Sequence, residues 1–582
     1  MAAERPAGRT SAAAGGARAG TAAAREGAAE GAARADAARK GSRARPAAAQ
    51  VPLSWGNEIA RRERSTPATP GRGEGCTRRE RVRDAREQEG GEAEEGRVGG
   101  GEVCGGRGAE ARQKERVGSS TKSSECCDEL TALGWNGTLP VAIFRTNATE
   151  VTGDAREFGE FCTCQWGNGT DYKGYSKTKV RGNSSARLAK VSYSVRLSLA
   201  NGTTTDGKLW SWPKGEDWNF YATENMDLTE GMRNWIAYNA ARATGEYASR
   251  TKYVELFLAL NDEPLSLDHY NGLYIALERI DRDRLNLKKL KTDDLSGPMI
   301  FRFENDNWDD TDLVTEVVPG FENPFLVVYP DGKTKGPLAA EWLGNYLTEF
   351  QAAMNSTNWI EETAPFINRT TWVDYFLLTE LTKNPDGYRG STYFYKQKGG
   401  PINAGPAWDY NEAFGECCGF PFEGYEENGK SEPGTAGGSA ISPNGWRFMI
   451  CADPERCTWD PEDGVSKWFM RLWNDTDFRV AAAKRYAELR EGPWADEFFE
   501  AIFDEVPDHI EQGVKRDFDR WESFLLKDWY ADGLTQWISE VSYVHEWTFN
   551  RLSWMQEALE IAASDSYVYP GTNFTWTAST DL

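Results

Sequence analysis

The sequence predicts an α+β fold, a β-rich region over residues 174–290 followed by a larger, mostly helical region over 291–582. Three observations predict it. Lys177 to Arg181 and Tyr193 to Leu199 alternate in polarity, as half-buried strands do. Val254 to Leu260 is an apolar run of strand length, the mark of a buried strand. Farther on the period becomes helical: Leu343, Tyr346, Leu347, Phe350 and Met354 form one stripe, Val373, Phe376, Leu377 and Leu381 a second, and Phe499, Ile502, Phe503, Val506 and Ile510 a third.

The first 122 residues are mostly Ala, Gly, Arg and Glu, with Trp55 as their one aromatic. Such a segment buries too little apolar surface to offset chain entropy, so disorder is expected. Residues 123–173 carry four cysteines and short apolar runs such as Val141 to Phe144, and read as a small strand-bearing extension tied by disulfides. Within 174–290, Asp227-Leu-Thr-Glu230 has the form of a helix start, and the helix runs through Ile236, Ala237 and Ala240 to a stop at Gly245. Within 291–582 a helix ends near Lys383, Asn384-Pro-Asp386-Gly makes a turn, Thr392 to Lys396 a strand, and Gly399 to Pro406 a second turn. Pro507 is expected to break or kink the third helical stripe.

Charge excludes some functions. The first 122 residues hold 24 Lys/Arg against 17 Asp/Glu, whereas the remainder holds 43 against 73. So acidic a globular part argues against nucleic acid, whose phosphates demand a basic face, and equally against an anionic membrane surface. No run of about 18 apolar residues occurs, so no transmembrane helix is expected. Eight of the ten cysteines fall in two clusters, Cys126, Cys127, Cys162 and Cys164, then Cys417, Cys418, Cys451 and Cys457. Disulfides within each cluster are expected, because zinc-type CxxC spacing is missing. Sequons at Asn136, Asn147, Asn168, Asn183, Asn201, Asn355, Asn368, Asn474 and Asn573 point the same way, to the secretory pathway or the cell exterior. The N-terminus nevertheless shows no apolar signal segment.

The chemistry concentrates between Thr379 and Gly415. Asp386 and Asp409, in Asn384-Pro-Asp386-Gly and Ala407-Trp-Asp409-Tyr-Asn411, lie 23 positions apart. One carboxylate could orient a substrate hydroxyl while the other holds a divalent cation on nucleotide phosphates. Asp386 is equally the residue a Pro-Asp-Gly turn favours, and Asp409 could merely cap a turn. Arg181 and Lys190 are candidate phosphate contacts, and the intervening Gly182-Asn183-Ser184-Ser185 could donate backbone N–H groups to phosphate. The other reading of these two cations is a solvated strand end, with Arg196 able to replace Lys190. Glu278 either faces a nucleotide or pairs with Arg279 or Arg282. Only His269, His509 and His545 are present, and none fits a triad or a zinc pattern.

These residues resemble the CotH kinase family. An Asn-x-Asp loop, a Tyr-rich strand, a Trp-Asp-aromatic motif and a Phe-Gly follow in the family's order, behind Arg181, Lys190, Arg233-Asn234 and Asn271-Gly-Leu-Tyr274 with Glu278. The resemblance spans roughly residues 174 to 555. It implies an atypical two-lobed, protein-kinase-like fold with a β-rich N-lobe and a mostly helical C-lobe. It also implies transfer of the ATP γ-phosphoryl group to Ser or Thr of a protein substrate with Mg²⁺ or Mn²⁺. In it Asp386 is the substrate-orienting residue, Asp409 and Asn411 hold the metal, and Arg181, Lys190 and Glu278 surround the nucleotide. The family more often carries an acid where this chain has Asn411, which weakens metal binding because an amide adds no charge. A glycan on Asn183 would obstruct the nucleotide, so that sequon is expected to stay unused. The rival readings are a non-catalytic cell-surface adhesion or binding protein of the same fold, and a carbohydrate-active enzyme with Trp platforms.

Overall fold

The structure is a computed structural model that describes residues 125–567, apart from 167–168, 183–184, 224–226, 292–294, 305–311, 333–334, 417–440 and 450–463. The expected disorder of residues 1–122, the second cysteine cluster and the sequons at Asn168, Asn183 and Asn573 fall outside the described residues. The described chain is a mixed α+β structure, β-rich first and helical after.

The β-rich part is a closed barrel of seven strands. They are β1 (Val141–Arg145), β2 (Glu157–Gln165), β3 (Gly169–Arg181), β4 (Ser192–Ser198), β5 (Asp217–Ala222), β6 (Thr251–Ala259) and β7 (Tyr270–Glu278). Around the barrel the order is β1-β2-β3-β4-β5-β7-β6, and β1 closes it by pairing in parallel with β6. Closure leaves no free strand edge. Phe161, Leu197, Trp218, Phe220 and Tyr274 fill the interior. Residues 123–173 are therefore no separate appendage: they supply β1, β2 and the start of β3. Their helix α1 (Glu125–Ala132) is joined to β2 by the disulfides Cys126–Cys162 and Cys127–Cys164.

Helix α2 (Met232–Ala243) lies between β5 and β6 in sequence. It starts four residues later than its Asp-x-x-Glu signature predicts, because Glu230 and Gly231 both take left-handed conformations, with φ of 55° and 81°. Its end agrees with the sequence, since Gly245 has φ 99° just beyond the C-cap Thr244.

A second sheet, in the order β11-β10-β8-β9, is built from β8 (Met299–Phe303), β9 (Phe325–Tyr329), β10 (Thr392–Lys396) and β11 (Ile402–Ala404). It lies in the stretch expected to be helical, and β11 occupies the middle of the expected Gly399–Pro406 turn. Helices α3 (Lys335–Asn355), α4 (Trp359–Thr363), α5 (Arg369–Thr382), α6 (Ser466–Trp473), α7 (Thr476–Arg490), α8 (Asp496–Leu525) and α9 (Gly533–Ala562) make up the rest. The three apolar stripes fall on α3, α5 and α8, and nearly all their members are buried. Trp468 of α6 is the hub, with ring centroids 4.9 Å from Phe350, 5.8 Å from Phe394 and 6.0 Å from Trp372. Helix α8 continues through Pro507, and its break in helical geometry falls at Trp521 instead.

Helix α8 also crosses the barrel. Asp517 accepts from the Leu273 backbone N–H at 2.7 Å and pairs with Lys190 Nζ at 2.5 Å, both side chains fully buried. This lock ties the barrel to the helical part.

Candidate active site

The loop after α5 is set by the sequence Lys383-Asn-Pro-Asp-Gly. Lys383 ends the helix in a left-handed conformation, φ 47°, and the chain turns at Pro385. The turn is clamped from three sides. Tyr375 Oη donates to the Gly387 carbonyl at 2.7 Å, Arg447 Nε to the Pro385 carbonyl at 3.1 Å, and Asn384 Nδ2 to the Asp409 carbonyl at 2.9 Å. The last contact ties the two acidic motifs together. The Asp386 side chain is 45 % exposed, 3.9 Å from Arg389.

Asp409 sits in a left-handed conformation, φ 66°, where a non-glycine residue is strained. Helix α2 holds it there: Tyr238 Oη accepts from the Asp409 backbone N–H at 3.1 Å and Asn234 Oδ1 from the Tyr410 N–H at 2.8 Å. Arg233 donates to the Ala413 carbonyl at 3.1 Å and pairs with Asp227 and Glu416. Arg233 and Asn234 thus brace α2 against the Asp409 loop.

Burial pushes the Asp409 carboxyl above its ordinary pKa; Arg181 opposes this, Asp386 adds to it, and the Ser391 hydroxyl and Arg302 oppose it. The charge on Asp386 thus acts on Asp409 through space. Glu304 joins them. Ser391 Oγ lies 3.3 Å from both Glu304 Oε1 and Asp409 Oδ2, and the Ser391 N–H donates to Glu304 Oε2 at 3.0 Å. A Cβ on Gly390 would sit 3.6 Å from both the Asp386 carboxyl carbon and Glu304 Oε2. Glu304 is buried and raised in pKa by that burial, with Arg302 lowering it through a 2.6 Å ion pair and Asp409 raising it. Sequence reasoning missed Glu304, Arg302 and Ser391. Their signal is the β8–β10 register, Phe303 opposite Thr392 and Arg302 opposite Tyr393, which no motif encodes.

A cavity of about 590 Å³ opens beside these acids. That is within the range of small-molecule and cofactor pockets. Arg156, Lys179, Arg181, Arg196, Arg279 and Arg302 line it with Asp312 and Asp331, an excess of positive charge in a chain of net charge −23. Leu313, Leu326, Val327 and Val328 give one apolar wall, and Tyr393 and Trp408 an aromatic one. The Arg181 guanidinium lies 5.5 Å over the Trp408 ring.

Of the other sequence candidates, Lys190 lies in its buried pair with Asp517, also touching Thr223, and is not among the cavity's lining residues. Glu278 is likewise buried, paired with Arg250 at 2.9 Å and Arg284 at 3.1 Å. Asn411 is half-buried in the turn after Tyr410. Asn183 and Ser184 of the glycine-led segment are outside the described residues. Among the described residues no cluster of three or more His, Cys, Asp or Glu has metal-binding geometry.

A family described as CotH kinase protein matches residues 178–555, most of the chain. The chain belongs to the CotH kinase family. The match covers α2, both acidic motifs and the barrel from late β3 onward, so the elements that build the cavity of this CotH-family chain lie almost wholly within it. Comparison with curated proteins yields no match. No helix of the described residues is long and apolar enough to cross a membrane.

Proposed function

We propose that this CotH-family chain is a metal-dependent protein kinase of two-lobed, kinase-like architecture, transferring the ATP γ-phosphoryl group to Ser or Thr of a protein substrate. The observation that carries the reading is the cluster of Asp386, Asp409 and Glu304 next to a cationic cavity: none of the three lines it, but Arg302, the ion-pair partner of Glu304, and Trp408, the neighbour of Asp409, do. Phosphoryl transfer asks a protein for positioning and charge stabilisation, and both are built in here.

The donor set fits a hard divalent cation. Mg²⁺ takes one or two protein carboxylates and fills its remaining positions with water and phosphate oxygens. Asp409 and Glu304, converging on Ser391 Oγ, supply that pair. Glu304 also provides the second negative charge that Asn411 lacks, leaving Asn411 as an amide ligand. A cation bound there would neutralise the triphosphate during transfer. Arg181 and Arg302 grip the phosphates, and Asp386 accepts or aligns the acceptor hydroxyl proton. Leu313, Leu326 and Val328 would offer the base an apolar wall. Lys190 and Glu278, each already in a buried pair, act by holding the barrel in place.

The disulfides and the sequons support action in the secretory pathway or outside the cell: Asn136, Asn147, Asn201, Asn355 and Asn474 are all exposed. The test is incubation of the full chain with labelled ATP and Mn²⁺. Wild type labels itself or an added acceptor. Asp386→Asn labels at least about 100-fold more slowly, and Arg181→Gln about 10- to 100-fold more slowly. Unlabelled wild type that binds no nucleotide would instead favour a non-catalytic binding protein.

A further inference from the structure

The cavity holds more cationic groups than one triphosphate engages. Arg181 projects from β3, where it pairs with Ser192 of β4. Arg196 lies four residues farther along β4, hence about 14 Å away at strand spacing. There it meets Arg156 and Arg279 around a single buried carboxylate, Asp217. Arg196 binds it with both ends of its fork, Nε to Oδ1 at 2.8 Å and Nη2 to Oδ2 at 2.7 Å, and Arg279 Nη1 takes Oδ2 at 2.7 Å. Arg156 is directed by backbone instead, donating to the Lys177 and Ser194 carbonyls at 3.1 and 3.0 Å and to Ser194 Oγ at 3.0 Å. Glu216 and Asp331 act on Arg196 as well, so the cluster is close to charge balance, and Arg156 and Arg279 are the two guanidinium groups that Asp217 does not hold by both ends of the fork. Burial first, then Arg196 and Arg279, lower the Arg156 pKa, while Asp217 opposes them.

Such an arrangement presents guanidinium groups already set in place. Asp217 and the backbone fix the planar guanidinium groups in advance, and guanidinium forks match phosphate oxygens. We propose that Arg156, Arg196 and Arg279 form a second oxyanion site in this cavity, which takes a phosphate group other than the one transferred at Asp409. It rests on the kinase reading only in assigning the Asp409 end to the transferred group. The phosphate comes from a ligand bound together with the nucleotide, such as a phosphorylated acceptor. The competing source is the nucleotide itself, and the test separates the two.

Inorganic pyrophosphate is titrated calorimetrically into the full chain, with and without a saturating non-hydrolysable ATP analogue and Mg²⁺. The expected result is that pyrophosphate still binds beside the analogue. Arg279→Gln and Arg156→Gln each weaken it about tenfold, whereas Arg181→Gln leaves it in place. The half-exposed Arg279 guards against misfolding of the more deeply set Arg156 variant. Complete displacement of pyrophosphate by the analogue would assign these arginines to the nucleotide and overturn the proposal, as would unchanged affinity in both variants or an absence of binding. Should the analogue fail to bind while pyrophosphate binds and depends on Arg279, the kinase reading falls and the oxyanion site stands.

Discussion

Asp409 carries opposing demands. A cation needs it ionised, yet burial and the nearby Asp386 favour its neutral form. Metal binding should therefore strengthen as pH rises through a midpoint above the ordinary carboxylate range. Replacing Asp386 by Asn removes a like charge, so the midpoint should move down; Mn²⁺ titrations with nucleotide across pH 4–8 would show this, and an unmoved midpoint would contradict it. Stability has the opposite sign. With its pKa raised on folding, Asp409 binds its proton more tightly in the folded chain. Its favourable contribution at low pH is then lost as pH climbs from the unfolded to the folded pKa. Asp409→Asn should accordingly raise the melting temperature at neutral pH while abolishing transfer, a stability–activity trade-off. Asp386 and Asp409 were legible in the sequence because each sits in a compact motif. Glu304 was not, since its role depends on lying beside Ser391 across two strands that are far apart in the chain.

Among the elements, α8 is joined to the barrel through Lys190, which faces Asp517 and, through space, Glu230. Glu230 is raised in pKa by burial and by Asp517, with Lys190 opposing. Lys190→Met strands two buried acids and should cost about 3–5 kcal/mol in urea unfolding. Asp517→Asn leaves Lys190 with Glu230 as counter-charge and should cost less; equal losses would show that Glu230 takes no part. The two disulfides close nearly the same loop, with separations of 36 and 37 residues. Either alone should hold most of the roughly 3–4 kcal/mol that a loop of that length carries, so single Cys→Ala variants should melt close to wild type and the double loss should not. Strands and helices with a clean period were readable from the chain: β1, β4, β6, β10 and the stripes of α3, α5 and α8. The start of α2 was misread because Asp227 is engaged by Thr229 and Arg233 rather than by the helix backbone. The barrel's closure was hidden, since a parallel β1–β6 pair joins segments about a hundred residues apart.

In the whole molecule, an acidic chain gathers its cations on one concave wall, where β3, β4 and the ends of β7 and β8 meet the Asp409 loop. Composition gave the net charge but not this segregation, which arises only when the barrel stacks Lys179, Arg181 and Arg196 on one face. Nucleotide affinity should therefore fall with ionic strength even though the protein as a whole repels anions. The most direct test of the central claim is calorimetric titration of ATP with Mn²⁺ into wild type, Asp409→Asn and Asp386→Asn, paired with a phosphotransfer assay on the same samples. The account predicts that wild type binds and transfers, that Asp409→Asn loses the Mn²⁺-dependent part of binding, and that Asp386→Asn binds as wild type does without transferring. Mn²⁺-dependent binding that survives in Asp409→Asn, or transfer that survives in Asp386→Asn, would contradict it.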